Sequence, residues 1–391
     1  MKNTSLILTS LLILAGPVYS STDAPISPIP TSNALLSQPA DPNNFTFICT
    51  GDNRPPAADD PVMPVCTEIC REIGLIHPNF VFWTGDCIYG YKDTPDQANS
   101  QYDAFLSTVS LCDVPVFNAV GNHEITDDPV LTPIYEKRMG KLYGSMDYGN
   151  SHFISLNTDP IINGVPVEGV IDPGQLAWLK SDLAANSKSA NIFVFMHHYV
   201  FGPPDPDAIN GLDTGFATIA QRDALHKLFV QYGVRAVFCG HAHLYWHAKH
   251  DGVDYYISGN AGAPLDAAPE DGGYFGYLTV NVSGSSVNTV ERSADSLYAR
   301  PISGGDGLSS TAIVDIDAPD KAKLTIQGLI VKMPISKTYS VTASATYKGK
   351  TKSVDATVLG AEPSDTPGAA LVRISVGLPG SRTTVVSVTS S

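Results

Sequence analysis

Five times in this chain a short apolar run stops at a carboxylate, an amide or an imidazole. Residues 45–49 lead to Gly51-Asp52, residues 81–83 to Gly85-Asp86, and residues 114–120 to Gly121-Asn122-His123-Glu124. Residues 191–196 lead to His197-His198, and residues 235–239 to Gly240-His241-Ala242-His243. Runs this short and this apolar read as strands buried on both faces. Between them apolar residues recur at helical spacing: Cys66, Ile69, Cys70 and Ile73, with Gly74 as a C-cap; Tyr102, Phe105, Leu106 and Val109; Leu176, Leu179 and Leu183 beside Trp178; Leu225, Leu228 and Phe229. Strands alternating with helices predict a layered α/β domain. Parallel strands carry their carboxyl ends to one edge, where such folds bind ligands.

The remaining chain adds hairpins and then changes character. Residues 146–148 and 152–156 read as a hairpin around Gly149-Asn150, and short strands are expected at 254–258, 274–282 and 287–291. From about Ser293 no helical pattern appears. Tyr339, Val341, Ala343, Ala345 and Tyr347 alternate with Ser or Thr, Lys348-Gly349-Lys350 reads as a turn, and Val354, Ala356 and Val358 alternate on the return. That is a hairpin of a small all-β unit, a sandwich by expectation. The 391 residues suffice for a large core and an accessory unit. The expected organisation is a signal peptide over 1–20, a linker over 21–44, the α/β domain over 45–295, a second linker over 296–310 and a β-sandwich-like domain over 311–391.

Lys2, the apolar run 6–15 and Val18-Tyr19-Ser20 have the form of a cleavable export signal, too short to span a bilayer. No other stretch is long and apolar enough to span. The expected location is periplasmic, secreted or at the cell surface. A net charge of −15 repels nucleic-acid backbone, so DNA or RNA is not expected as the main partner. The six cysteines are either buried free thiols or form one or two bridges.

Singly, each motif has a plain reading: Gly-Asp after a strand is a common turn, and His197-His198 fits a satisfied core pair. Together they point to metal. His241-Ala242-His243 places two imidazoles on one side of an extended chain. Carboxylate with imidazole suits Fe, Mn or Zn better than Mg or Ca. One carboxylate can bridge two ions about 3.5–4 Å apart, and Asp86 is the residue expected to do so.

The ordered set Asp52, Gly85-Asp86, Gly121-Asn122-His123-Glu124, His197 and Gly240-His241-Ala242-His243 resembles the calcineurin-like metallophosphoesterase superfamily over roughly residues 45–291. Residues 148–153 and 175–179 resemble its connecting segments. The resemblance implies a four-layer α/β/β/α fold with helices flanking two stacked sheets. It assigns Asp52, Asp86 and His243 to one metal, and Asp86, Asn122, His197 and His241 to the other; His198 is the weaker candidate of its pair. It places His123 near the phosphate and leaving group, where an acidic neighbour such as Asp127 or Asp128 would orient it, and it sets the loop 260–263 at the border of the site. One departure stands out. Many members carry Asp-x-His in the first motif, whereas this chain has Asp52-Asn53-Arg54. Asp86-Cys87-Ile88-Tyr89 is similar to the Asp-x-x-Tyr of purple acid phosphatases, where the tyrosinate binds ferric iron. Tyr89 is therefore either the fourth ligand of the first metal or an ordinary half-buried aromatic. Arg54 cannot bind a metal; it either clamps a phosphate oxygen or makes a surface ion pair. Structural roles are expected for His77, His152, His226, His247 and His250.

The function these readings imply is an exported binuclear metal-dependent hydrolase of small phosphoric esters, mono- or diesters. A metal-bridging hydroxide would attack phosphorus in line. The alternative is a non-catalytic, metal-holding surface or adhesion module built on a degenerate phosphoesterase domain.

Overall fold

Phenylalanine recurs at alternate positions of the apolar runs: Phe45 and Phe47, Phe80 and Phe82, Phe193 and Phe195, joined by Phe117, Phe153 and Phe238. Alternate residues of a strand share a face, so each sheet presents a wall of rings. In the computed structural model, which describes residues 25–31, 35–125, 130–203, 214–294, 297–318, 323–380 and 382–391, the two walls meet. Phe82 and Phe195 stack with centroids 3.8 Å apart, and Phe47 meets Phe153, Phe193 and Phe238 edge-on.

The first sheet runs in the order Ser286–Ser293, Gly276–Ser283, Asn44–Thr50, Phe80–Trp83, Val116–Asn118; its last three strands are parallel. The second runs Tyr245–His250, Val253–Ser258, Ala236–Cys239, Asn191–Phe195, Ser151–Ser155, Gly144–Tyr148, with four parallel strands between antiparallel edges. The helices Pro64–Ile76 and Pro95–Val109 cover the outer face of the first sheet, setting Cys70, Ile73 and Phe105 against Val81 and Trp83. Pro173–Ala185 and Ile219–Tyr232 cover the second through Leu179, Leu183, Leu225 and Phe229. The result is the expected four-layer α/β/β/α arrangement.

The first helix passes through Gly74, which is not its cap. His77 ends it in the left-handed region at φ 54°. Gly74 is needed for close approach instead: a Cβ there would lie 2.5 Å from the Leu111 carbonyl oxygen.

The C-terminal strands form two antiparallel sheets. One is ordered Tyr298–Ser303, Thr311–Ala318, Arg382–Ser390, Tyr339–Tyr347, Lys350–Val354, and the other Leu324–Pro334, Ala369–Leu378, Ala356–Pro363. The turn at Lys348-Gly349 has φ of 48° and 74°, as a tight hairpin requires. The return expected as one strand is divided: Val354 ends in one sheet and Ala356 begins in the other. The stretch 296–310, expected as a linker, contains the paired strand Tyr298–Ser303. Within the other expected linker, Ile29 is fully buried and its N–H donates to the Val116 carbonyl, while Ile26 N–H donates to Ser145. The expected export signal lies outside the described residues.

This unit rests on the end of the first helix. Gly328 sits at a bulge, so close to the helix that a Cβ on it would meet the Gly74 carbonyl oxygen at 1.8 Å. Arg373 pairs with Asp113 at 2.9 Å, and His77 faces the same carboxylate at 3.6 Å. All six cysteines are buried and unbridged. No described helix is long and apolar enough to cross a membrane.

Candidate metal centre

Six of the seven expected ligands directly follow a parallel strand at its carboxyl end, and they come from both sheets; the seventh, Tyr89, lies in the loop beyond Phe80–Trp83. Asp52, Asp86 and Asn122 extend from the first sheet, and His197, His241 and His243 from the second. Asp52, Asp86 and His241 adopt φ of 58°, 53° and 71°. Non-glycine residues rarely occupy this left-handed region, and three such turns at one edge mark a site that the surrounding structure holds in place. The chain is tight here: a Cβ on Gly121 would lie 2.3 Å from Asp86 Oδ1.

The donor atoms converge. Those of Asp52, Asp86 and His197 lie within 4.8 Å of one another, as do those of His197, His198 and His241. His197 Nε2 is 3.3 Å from Asp86 Oδ1, 2.8 Å from Asn122 Oδ1 and 3.3 Å from His241 Nδ1. His243 Nε2 is 3.8 Å from Asp52 Oδ1. Two second contacts fix the tautomers. His197 Nδ1 donates to the Thr84 carbonyl at 2.8 Å and His243 Nδ1 to the Pro264 carbonyl at 2.7 Å, which leaves each Nε2 lone pair facing the site.

This donor set fits cations. A bare His197 Nε2 set 2.8 Å from the Asn122 carbonyl oxygen brings two acceptors together, a contact that a shared cation turns from repulsive to favourable. Asp52 Oδ2 is buried and finds no hydrogen-bond partner among the described residues. Burial, then the Asp86 charge, pushes the Asp52 carboxyl well above its ordinary range. Burial would also raise Asp86, but His197, His123, Arg54 and His243 outweigh it and hold this carboxyl low. Burial and the neighbouring imidazoles of His198, His197 and His243 hold His241 well below an ordinary histidine, in the neutral form that binds metal.

The two residues expected to meet substrate stand on the other oxygen of Asp86. Arg54 Nε lies 3.8 Å from Asp86 Oδ2 and His123 Nε2 3.7 Å from the same atom. His123 Nδ1 donates to the Tyr89 carbonyl, so that main-chain group orients the ring; Asp127 and Asp128 lie outside the described residues. Tyr89 is half-buried, its ring centroid 6.1 Å from that of His123. His198 turns Nδ1 to Asp159 at 3.2 Å and stacks on His241 at 3.9 Å. The loop 260–263 brackets the first motif, with Ala261 N–H donating to Gly51 and Ala263 N–H to Asp52. His152 bridges Asp147 and Asp182, joining a strand to a helix.

Two residues of the site carried no assigned role in the sequence. Glu124, fully buried, accepts from the amides of Asp86, Cys87 and Gly121 at 3.1, 2.6 and 2.7 Å, tying two ligand loops together. Burial and the Asp86 charge push its carboxyl up to about 8 against the pull of those amides. Tyr91 contacts both Asn122 and His123. The paired tyrosines around Gly90 were the only available signal for it.

The chain belongs to the calcineurin-like phosphoesterase family, whose model matches residues 45–245, just over half of its length. It is similar to the serine/threonine-protein phosphatase CPPED1 of Danio rerio, with 26% identity over 197 residues covering 48% of this chain and 61% of that protein. Human tartrate-resistant acid phosphatase type 5 is 25% identical over 274 residues, covering 59% of this chain and 81% of the relative. The purple acid phosphatase PPD1 from yellow lupin seeds superposes with a TM-score of 0.51 at 18% identity, over 66% of this chain and 53% of that one, and so shares the fold. The chain thus spans about three fifths of the fish relative and about half of the lupin structure.

Proposed function

We propose that this chain is an exported hydrolase of small phosphoric esters that works with two metal ions. The observation that carries the reading is the convergence of Asp52, Asp86, Asn122, His197, His241 and His243; Asp86 would serve both ions. Asp52, Asp86 and His243 would hold one ion, and Asp86, Asn122, His197 and His241 the other. Cations bound there supply Lewis acidity to a phosphoryl oxygen and an acidified water as nucleophile. Arg54 binds the remaining phosphoryl oxygens through its guanidinium fork. Doubly protonated, His123 would pass a proton from Nε2 to the leaving oxygen and revert to the neutral ring, with Nδ1–H held by the Tyr89 carbonyl; burial lowers its pKa and disfavours that form, while the Asp86 charge supports it. Export rests on Lys2 and the apolar run 6–15.

The test combines metal analysis by mass spectrometry with rates on chromogenic mono- and diesters. Two equivalents of Fe, Mn or Zn and turnover of either ester are expected. Asp86→Asn should lower metal content and cut turnover by about 10²-fold or more; full turnover in that variant would sink the bridging role. Stoichiometric metal without turnover on either ester would favour a non-catalytic metal-holding module. A visible band from ferric tyrosinate would place Tyr89 among the ligands, and a colourless, fully active enzyme would leave it to its main-chain contact. N-terminal sequencing of the mature protein outside the cytoplasm should begin after Ser20.

A further inference from the structure

An asparagine ligand has a problem that a carboxylate does not. Only one end of its carboxamide binds a cation, and a half-turn presents an N–H₂ group that repels one. Something must choose the end. Here Asn122 Nδ2 donates to the Tyr91 hydroxyl at 2.7 Å, while Oδ1 faces His197 Nε2 at 2.8 Å. We infer that Tyr91 is a positioning residue, whose hydroxyl fixes the Asn122 carboxamide with its oxygen toward the metal centre. The inference rests on the reading of Asn122 as a ligand.

The turn that carries Tyr91 is built for the task. Gly90, at φ 72°, lies so close to the following motif that a Cβ would meet the His123 carbonyl oxygen at 1.5 Å. Its N–H donates to Asp93 Oδ2 at 2.9 Å, and Tyr89 N–H donates to Gln101 Oε1 at 2.6 Å. Gln101 Nε2 in turn donates to Asp93 Oδ2 at 2.6 Å, so the turn is anchored to the Pro95–Val109 helix. Tyr91 N–H closes the turn on the Tyr89 carbonyl at 2.8 Å, the same oxygen that receives His123 Nδ1–H. The Tyr91 ring lies 4.0 Å from that of His123. One anchored turn therefore sets both the amide of Asn122 and the imidazole of His123. Such outer partners of a metal ligand typically change metal affinity by about 10–100-fold when removed.

The test is calorimetric titration of the chelator-stripped full chain with Zn²⁺. The wild-type protein should bind two equivalents. Tyr91→Phe, which keeps the ring, should weaken one of them by about tenfold or more and leave the other unchanged. The melting temperature of the stripped variant should stay within about 2 °C of wild type. Asn122→Asp offers oxygen at either end, so adding Tyr91→Phe in that background should cost no further affinity. Wild-type binding of both equivalents by Tyr91→Phe would overturn the inference. Equal loss in the Asn122→Asp background, or loss of both equivalents with a falling melting temperature, would overturn it in favour of simple packing. A wild-type chain that takes up no Zn²⁺ would remove the two-metal reading itself, and this inference with it.

Discussion

At the scale of single residues, the site is held against its own electrostatics. Asp52 and Asp86 are buried together, and the charge of one raises the carboxyl of the other. Without cations that repulsion burdens the fold. Asp52, whose carboxyl is the one pushed up, carries that burden, and Asp52→Asn keeps a side chain that tolerates φ near 58° and removes the charge. In the presence of chelator the variant should therefore melt at or above the wild-type temperature, while its gain in stability on adding metal is lost. A clear fall in the chelated melting temperature would show that the Asp52 charge supports the fold by itself. The candidate ligands were legible because each follows an apolar run and most follow a glycine. Glu124 and Tyr91 were not, since their parts lie in hydrogen bonds to main-chain amides and to a carboxamide, and neither leaves a spacing in the sequence.

At the scale of elements, period and packing compete. Gly74 looked like a helix end because glycine so often is one; it lies inside the helix because the Leu111 carbonyl needs the space. Gly→Ala in an open helix interior gains about 1 kcal/mol. Gly74→Ala should reverse that sign and cost about 1–3 kcal/mol by urea unfolding. The strand Tyr245–His250 escaped notice since it is an edge strand with no buried residue. The sheet change at Asp355 did so because Val354, Ala356 and Val358 keep one alternation across two strands. His152 ties the Gly144–Tyr148 strand, through Asp147, to the Pro173–Ala185 helix, through Asp182, at 2.7 and 2.8 Å. Burial lowers its pKa, but the two carboxylates outweigh burial and the net shift is upward. A raised histidine stabilises the fold fully below its unfolded value near 6.5, and the contribution fades as pH rises through the higher folded value. His152→Gln should thus cost about 1–3 kcal/mol at pH 5 and progressively less toward pH 9, read from melting temperatures across that range.

For the whole molecule, the boundary between α/β domain and β unit is less open than composition implied. Glycine and serine around 303–307 read as part of a linker, yet one continuous apolar cluster includes Cys70, Trp83 and Phe105 together with Leu329, Val331 and Ile374. Heat should unfold the chain in one calorimetric transition. Gly328→Leu would drive a side chain into the helix end and should split that transition in two; a single unshifted peak would mean the units melt together for another reason. The phenylalanine layer bears on the candidate metal centre in a different way. Asp52, Asp86 and Asn122 come from one sheet and the three histidines from the other, and either proposed ion would draw on both, so the size of the rings between the sheets sets how the two halves of each coordination shell meet. Phe195 is not itself a candidate ligand and stacks on Phe82 across the two sheets, but Phe195→Leu would let the sheets settle closer or shear by a fraction of an ångström. In the manganese-loaded protein the two spins would report that change, as an altered exchange coupling in the electron paramagnetic resonance spectrum with every ligand still in place.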